Sequence, residues 1–184
     1  MSGTKRARII SLQQGHLDGL CGVYSIINAT RCVIGSLSDE DAKKLFLQIV
    51  KYLQERKNGL DFFVDGITIK DIGCTLRDVV EQEFPIVRSK PLAKKAGLPL
   101  DEFWDHMTDF LAVPNHAIIL GLTGKYDHWT VVKSITNKRL SLMDSDRLYW
   151  LNKSSVTTGE PNKNYAHGLP PTMAYYLSSK ENSD

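Results

Sequence analysis

The chain is poor in cysteine and has no cysteine pair at a metal-binding spacing. Its 184 residues include only Cys21, Cys32 and Cys74. An odd number of cysteines at wide spacings does not form a disulfide framework, and without a Cys-x-x-Cys pair the sequence predicts no zinc site. We expect the thiols to be reduced, which is typical of a cytoplasmic protein, and we expect neither a metal nor a cofactor.

Long apolar runs and an excess of charge are also lacking. No apolar stretch approaches the roughly 18–20 residues that cross a bilayer, and the amino-terminal segment lacks the apolar core of a secretory signal. The sequence therefore predicts no membrane span, and a location in the cytoplasm or delivery by a route that needs no amino-terminal signal. The formal charge of +2 is carried by dispersed basic residues, which argues against a nucleic-acid partner.

The apolar residues that are present follow two different periods. They recur at helical spacing up to residue 111 and alternate as in strands from residue 116 onward. This order predicts an α+β fold in one domain over residues 1–177, followed by a disordered tail over 178–184. The predicted helices cover residues 20–34, 39–57, 68–83 and 99–111, and the predicted strands cover 116–122, 128–135, 139–144, 147–151 and 172–177.

One cysteine stands at the point where the first helical pattern begins. It is Cys21, in the segment Asp18-Gly19-Leu20-Cys21-Gly22. The positive end of a helix dipole stabilises a thiolate, which is the nucleophilic form of cysteine. Gly19 and Gly22 are expected to let a substrate backbone approach closely. Cys32 and Cys74 have no such neighbours and are interpreted as structural.

A nucleophilic thiol needs a base, and His128 is the best candidate because it opens the most regular predicted strand. A hairpin turn centred near Asn137 would pair position 130 with Asp144 and His128 with Asp146, and all of these side chains would then share one face. Either carboxylate would orient the imidazole. His116, at the start of the preceding strand, is the second candidate base.

Thioester chemistry also needs donors for the developing oxyanion. A side-chain amide upstream of the cysteine and the backbone N–H of Cys21 would serve. Gln14 and Gln13 lie seven and eight residues before Cys21. We expect Gln14 to be the amide donor, with Gln13 as the alternative.

These residues resemble the papain-like cysteine peptidases. The resemblance rests on a glutamine before a cysteine at a helix start, on the segment His128-Trp129-Thr130-Val131-Val132 and on Leu142-Met143-Asp144-Ser145. It is greatest for compact bacterial members, such as the peptidases that cleave double-glycine leader peptides and related effector proteases. It implies a central helix that carries the nucleophile Cys21, followed by an antiparallel sheet that carries the general base His128 and the orienting residue Asp144.

The resemblance implies a hydrolase that cleaves a peptide or isopeptide bond in a protein or peptide substrate. The same triad also serves transglutaminases, deamidases and other acyl transferases, and the fold can be used by catalytically inactive binding modules. The sequence leaves these alternatives open, together with the substrate and the oligomeric state.

Overall fold

The structure is a computed structural model that describes residues 10–15, 18–35 and 37–180. Its centre is a sheet of six strands, in which every neighbouring pair is antiparallel. The strands are β1 (Ile86–Ser89), β2 (His116–Gly124), β3 (His128–Ile135), β4 (Arg139–Leu142), β5 (Trp150–Asn152) and, after two shorter ones, β8 (Ala174–Ser179). They lie in the order β1-β8-β2-β3-β4-β5. The shorter strands β6 (Val156–Thr157) and β7 (His167–Gly168) pair in parallel. Strand β7 also pairs with the end of β2, in the antiparallel direction.

Helices cover both faces of the sheet. They are α1 (Cys21–Ile34), α2 (Asp39–Lys57), α3 (Phe62–Asp65), α4 (Ile69–Thr75), α5 (Glu81–Glu83) and α6 (Leu100–Leu111), and a π-helical turn (Leu76–Val80) joins α4 to α5. Within the described residues, none of these helices combines the length and the apolar character that a membrane crossing requires. The mixed helix and antiparallel-sheet architecture agrees with the predicted α+β class.

Helix α1 is the buried element that positions the site. It packs against β2, β3 and β8, and it buries apolar side chains on several sides, including Val23, Ile26, Ile27 and Val33. Burial of one such side chain contributes about 1.5–3 kcal/mol, so this contact fixes the helix on the sheet. Gly35 ends the helix with a left-handed φ of 73°, a conformation that glycine adopts without strain.

The opposite face of the sheet packs against α6. Phe103, Trp104 and Met107 of α6 join Ile118, Leu120 and Val132 in a second hydrophobic cluster. The intervening residues of β2, such as Ile119, face α1 instead. Successive side chains of β2 and β3 therefore point into two hydrophobic cores, one on each face of the sheet. Because both faces are buried, the sequences of these strands are almost continuously apolar.

The hairpin of β3 and β4 contains a bulge that matters for the site. Near the turn, Ile135 pairs with Leu140 and Ser134 with Ser141, one residue out of the predicted register. An irregularity between Val132 and Ser134 absorbs this difference, and Val132 then pairs with Leu142 as predicted. The ladder ends at Leu142, so Asp144 follows the strand instead of lying within it.

Most predicted helices and strands are confirmed, and the main differences are as follows, in addition to the short strands β6 and β7, which were not predicted. Residues 85–98, which were predicted to be a connection, contain β1, because Ile86 is buried and the segment pairs with β8. The short helix α3 was not predicted. Strand β8 runs to Ser179, so residues 178 and 179 belong to the sheet and not to the predicted tail. Residues 181–184 lie outside the described residues.

Candidate active site

Cys21 is the first residue of α1, and its side chain is half-buried and unpaired with another cysteine. The preceding residue, Leu20, donates its N–H to Oδ1 of Asp18 at 3.2 Å. The first N–H groups of a helix have no acceptor within the helix, and the dipole makes that end positive. Both effects favour negative charge on the sulfur of Cys21.

His128 is the first residue of β3 and lies opposite Leu122 of β2. Its side chain is only 9% exposed, and its Nε2 atom lies 2.8 Å from Oδ2 of Asp144. The Cys21 sulfur is close enough to the imidazole to act on its pKa, although the acceptor of the thiol itself is the carbonyl oxygen of Gly19 at 4.0 Å. Because Asp144 occupies Nε2, Nδ1 is the ring nitrogen that remains for the sulfur. The imidazole therefore lies between the thiol and the carboxylate.

Asp144 is held in place by the loop that follows β4. Its side chain is fully buried, and Oδ1 accepts the backbone N–H groups of Asp146 at 2.7 Å and Leu148 at 3.0 Å. The buried hydroxyl of Thr130 approaches the same carboxyl group and stabilises its charge, although it does not reach full hydrogen-bond geometry. With Oδ1 fixed by the backbone, Oδ2 is directed at His128.

Burial and charge act in opposite directions on the His128–Asp144 pair. Burial of the imidazole lowers its pKa, but the hydrogen bonds and negative charges of Asp144 and Cys21 outweigh burial and raise the pKa of His128 to about 10. Burial likewise raises the pKa of Asp144, but the His128 contact and the loop N–H groups lower it below its ordinary value. The pair is therefore an imidazolium and a carboxylate at neutral pH.

Asp146, the alternative orienting carboxylate, has a different position from the predicted one. It is exposed, and it contributes its backbone N–H to Asp144 rather than a carboxylate to His128. The ladder of β3 and β4 ends at Leu142, so the chain leaves the sheet before residue 146 can lie opposite His128. The structure brings Cys21, His128 and Asp144 together and leaves Asp146 at the surface.

The two glutamines bind the loop of Asp144 and do not line the cleft beside Cys21. Gln13 is exposed and donates Nε2–H to the backbone oxygen of Asp144 at 2.9 Å. Gln14 donates its backbone N–H to the carbonyl of Ser145 at 3.0 Å and accepts the Ser145 hydroxyl on Oε1 at 3.2 Å. The amide hydrogens of Gln13 are thus engaged, whereas those of Gln14 have no partner among the described residues.

A buried asparagine, which the sequence analysis missed, holds this amino-terminal segment. Asn28 of α1 is fully buried, accepts the N–H of Leu12 at 2.9 Å and donates to its carbonyl at 3.2 Å. A polar residue on the buried face of a helix is the signal that could have identified it, because such a side chain needs hydrogen-bond partners. Asn28 places the two glutamines beside Asp144.

The glycines around Cys21 make room for atoms of the protein itself. A Cβ atom on Gly22 would lie 2.4 Å from Cγ1 of Ile67, and a Cβ atom on Gly19 would lie 2.5 Å from the carbonyl oxygen of Val64. Gly22 is buried and does not offer the expected space for a substrate backbone. Its lack of a side chain instead allows Ile67 to pack closely against α1. Gly19 does line the cleft, and its contact with substrate remains a prediction.

A cleft of about 470 Å³ opens at Cys21 and His128. One wall is the segment 64–69, which joins α3 to α4, and Leu122 and Met173 line the cleft from the sheet side. Trp129 joins the two sides, because its buried Nε1–H donates to the carbonyl of Ile67 at 2.9 Å. The sequence suggested the third and fourth predicted helices and the 152–170 loop as cleft walls; the start of the third helix lines the cleft through Thr68 and Ile69, whereas the cleft lining includes no residue of the fourth helix or the loop. A tryptophan directly after His128 was the available signal for this contact.

The remaining candidates lie away from the cleft. His116 donates Nδ1–H to the carbonyl oxygen of Phe110 at 2.8 Å and stacks on the Phe110 ring, on the α6 side of the sheet. Burial raises the pKa of Cys32 to about 11, and its sulfur contacts Met143. Within the described ranges, no three His, Cys, Asp or Glu side chains are arranged to hold a metal ion.

Comparisons with known proteins assign no function to this site. When the chain is compared with protein-family models, with curated proteins and with solved structures, none of them matches it.

Proposed function

We propose that this protein is a papain-like cysteine hydrolase that cleaves a peptide or isopeptide bond through a thioester intermediate. The observation that carries the proposal is the contact of His128 with the buried Asp144 at 2.8 Å, next to a Cys21 sulfur that acts on the pKa of the same imidazole. A thiol, an imidazole and a buried carboxylate in this order are the parts of an activated nucleophile. The cleft beside Cys21 supplies space for a substrate chain.

In the first half of the reaction, the Cys21 thiolate attacks the carbonyl carbon of the scissile bond. The electron pair of the carbonyl moves to oxygen, and the N–H of Cys21 stabilises the resulting oxyanion. When the tetrahedral intermediate collapses, the C–N bond breaks and the His128 imidazolium gives its proton to the leaving amine. The product amine departs, and the acyl group remains on Sγ as a thioester.

In the second half, water attacks the thioester carbonyl while the neutral His128 accepts its proton. Collapse of the second tetrahedral intermediate breaks the C–S bond and releases the carboxylic acid. Cys21 is again a thiolate and His128 an imidazolium, so the cycle closes without a further reactant. Asp144 retains its charge throughout and orients the imidazole in both halves.

The first test is the rate of alkylation of each cysteine by iodoacetamide at neutral pH, measured by mass spectrometry. We expect Cys21 to react at least about tenfold faster than Cys32 and Cys74, because a neighbouring imidazolium raises the thiolate fraction. His128→Ala should remove that advantage. Equal rates at Cys21 in the wild type and in His128→Ala would contradict the proposed dyad.

The second test identifies the reaction. New protein termini are sought in cells that produce the wild-type chain and in cells that produce Cys21→Ala. Termini that appear only with the wild type support hydrolysis of a peptide bond. Incorporation of a labelled amine without new termini would instead indicate acyl transfer, which uses the same thioester.

A further inference from the structure

A second groove, separate from the cleft, lies beside β5, the strand at the edge of the sheet. It has a volume of about 470 Å³, and Leu142 and Met143 line it although each is only 3% exposed. Ile10 and Tyr149 also line it and are 70% and 55% exposed. Large apolar and aromatic side chains with this exposure are typical of interaction surfaces, because they gain free energy when a partner removes them from water.

Cations surround this groove. Lys133 and Arg147 line it, are exposed, and form no ion pair with any residue in the described part of the chain. Next to Tyr149, the ring of Trp150 is 53% exposed and lies 5.8 Å below the guanidinium of Arg139. The groove thus combines exposed aromatic anchors with positive charge that has no partner of its own.

We propose that this groove binds an acidic segment of a protein partner that carries aliphatic or aromatic side chains between its carboxylates. The carboxylates would pair with Lys133 and Arg147, and the apolar side chains would lie against the exposed Ile10 and Tyr149. Residues 1–9 of this chain do not supply the complementary charge, because they contain three cations and no acid. A nucleic acid fits less well, because the two cations that line the groove would neutralise few phosphates.

The groove contacts the same loop that holds the orienting carboxylate. Met143 and Arg147 lie on either side of Asp144 in sequence, and Gln13, which lines the groove, binds the Asp144 carbonyl. An occupant would therefore touch the back of the loop while Oδ2 of Asp144 faces His128. The groove and the cleft share no lining residue, and the binding proposal does not depend on the proposed reaction.

The test is fluorescence anisotropy of a labelled synthetic peptide in which Glu and Asp alternate with Leu and Phe, titrated with the Cys21→Ser chain. We expect saturable binding that weakens with added salt, because exposed charge pairs are screened. Lys133→Gln/Arg147→Gln and Trp150→Ala should each weaken binding about tenfold, as expected for loss of charge complementarity and of an aromatic anchor. The matched control Lys51→Gln/Lys94→Gln changes the net charge equally at exposed positions outside the groove and should bind like the parent.

Other outcomes would overturn the proposal. Equal binding of the peptide by the groove variant and by the control variant would show only nonspecific attraction. An isosteric peptide with Gln and Asn in place of the acids should bind at least about tenfold more weakly, and equal affinity would remove the charge argument. Tighter binding of a thymidine oligonucleotide would reassign the groove to nucleic acid, and a dimer lost in the groove variant would reassign it to a second copy of the chain.

Discussion

Nε2 of His128 lies 2.8 Å from Oδ2 of Asp144, and this contact determines which nitrogen of the ring meets Cys21. With Nε2 engaged, Nδ1 faces the thiol. The carboxylate is fixed in turn by two backbone N–H groups of its own loop. The loop after β4 therefore determines the orientation of the imidazole, and the buried carboxylate of Asp144 stabilises the positive charge of the imidazole. Both can be tested.

The pH dependence of alkylation should report the charge of His128. The raised pKa of about 10 keeps the imidazolium charged at neutral pH, so its effect on the Cys21 thiolate is present there and fades as the ring loses its proton. We expect the ratio of wild-type to His128→Ala alkylation rates at Cys21 to be largest near neutral pH and to fall toward one above about pH 10. A ratio that stays constant over this range would contradict the assignment.

Asp144→Asn should lower the pKa of His128 toward its ordinary value, because the amide removes the negative charge that outweighs burial. An NMR titration of the imidazole resonances measures this directly. Asp146→Asn is the matched control, since the exposed Asp146 contributes only its backbone N–H, and it should leave the titration unchanged. Equal shifts in both variants would mean that the contact with Asp144 is not the cause.

The stability of the fold should depend on pH through His128. Its pKa is raised from 6.5 to about 10 on folding, so the native state binds the proton more tightly. The stabilisation is then complete below about pH 6.5 and is lost as the pH rises through about 10. The difference in free energy of unfolding between the wild type and His128→Gln should shrink by up to about 5 kcal/mol between these limits, measured by urea denaturation. A difference that grows with pH would have the wrong sign for this linkage.

Gly22→Ala should destabilise the fold by about 1–3 kcal/mol, because the added methyl group overlaps the side chain of Ile67. Gly59→Ala is the control, since a Cβ atom there meets nothing within 4 Å. Ile67→Ala should cost stability alone but relieve the overlap in the double variant. Strict additivity of the two changes in free energy of unfolding would show that the residues are not coupled.

Neither glutamine should contribute strongly to the binding of an oxyanion mimic, because both bind the loop of Asp144 and neither lines the cleft beside Cys21. A peptide aldehyde adds to Cys21 and forms a hemithioacetal whose oxygen occupies the oxyanion position. Gln14→Ala and Gln13→Ala should each change the affinity for the aldehyde by less than about threefold. A selective loss of about tenfold in one of the two variants would assign the oxyanion role to that glutamine.

The parts of the site that lie within regular elements were predictable from sequence. The apolar spacing of α1 placed Cys21 at a helix start, and the alternation in β3 placed His128 at a strand start. A hairpin register that is one residue off near the turn gave Asp144 and Asp146 as alternatives, and the resemblance favoured Asp144. The bulge between Val132 and Ser134 restores the predicted register before the strand ends, and Asp144 then contacts His128. The local sequence propensities do not predict that bulge.

The cleft walls could not be predicted in the same way. The segment 64–69 reaches the site through contacts that are distant in sequence: Trp129 donates to Ile67 across 62 residues, and Gly19 donates its N–H to the carbonyl of Phe63. Such contacts have no periodic pattern. Strand β1 was missed for a related reason, since its four residues become a strand through pairing with β8 at the sheet edge. Gly22 was assigned to substrate approach because a sequence shows the freedom of glycine but not the side chain that fills its space.

The placement of Cys21 on α1 and of His128 on β3 has a consequence for biosynthesis. The ribosome adds more than a hundred residues after the cysteine before it adds its base, and the helix is fixed only when the strands are present to bury it. Throughout that interval the nascent chain carries a thiol without its activating partner. Under the proposed reaction, Cys21 therefore meets its base only when the β3–β4 hairpin is complete, and a chain that ends before β3 carries Cys21 without His128 and Asp144.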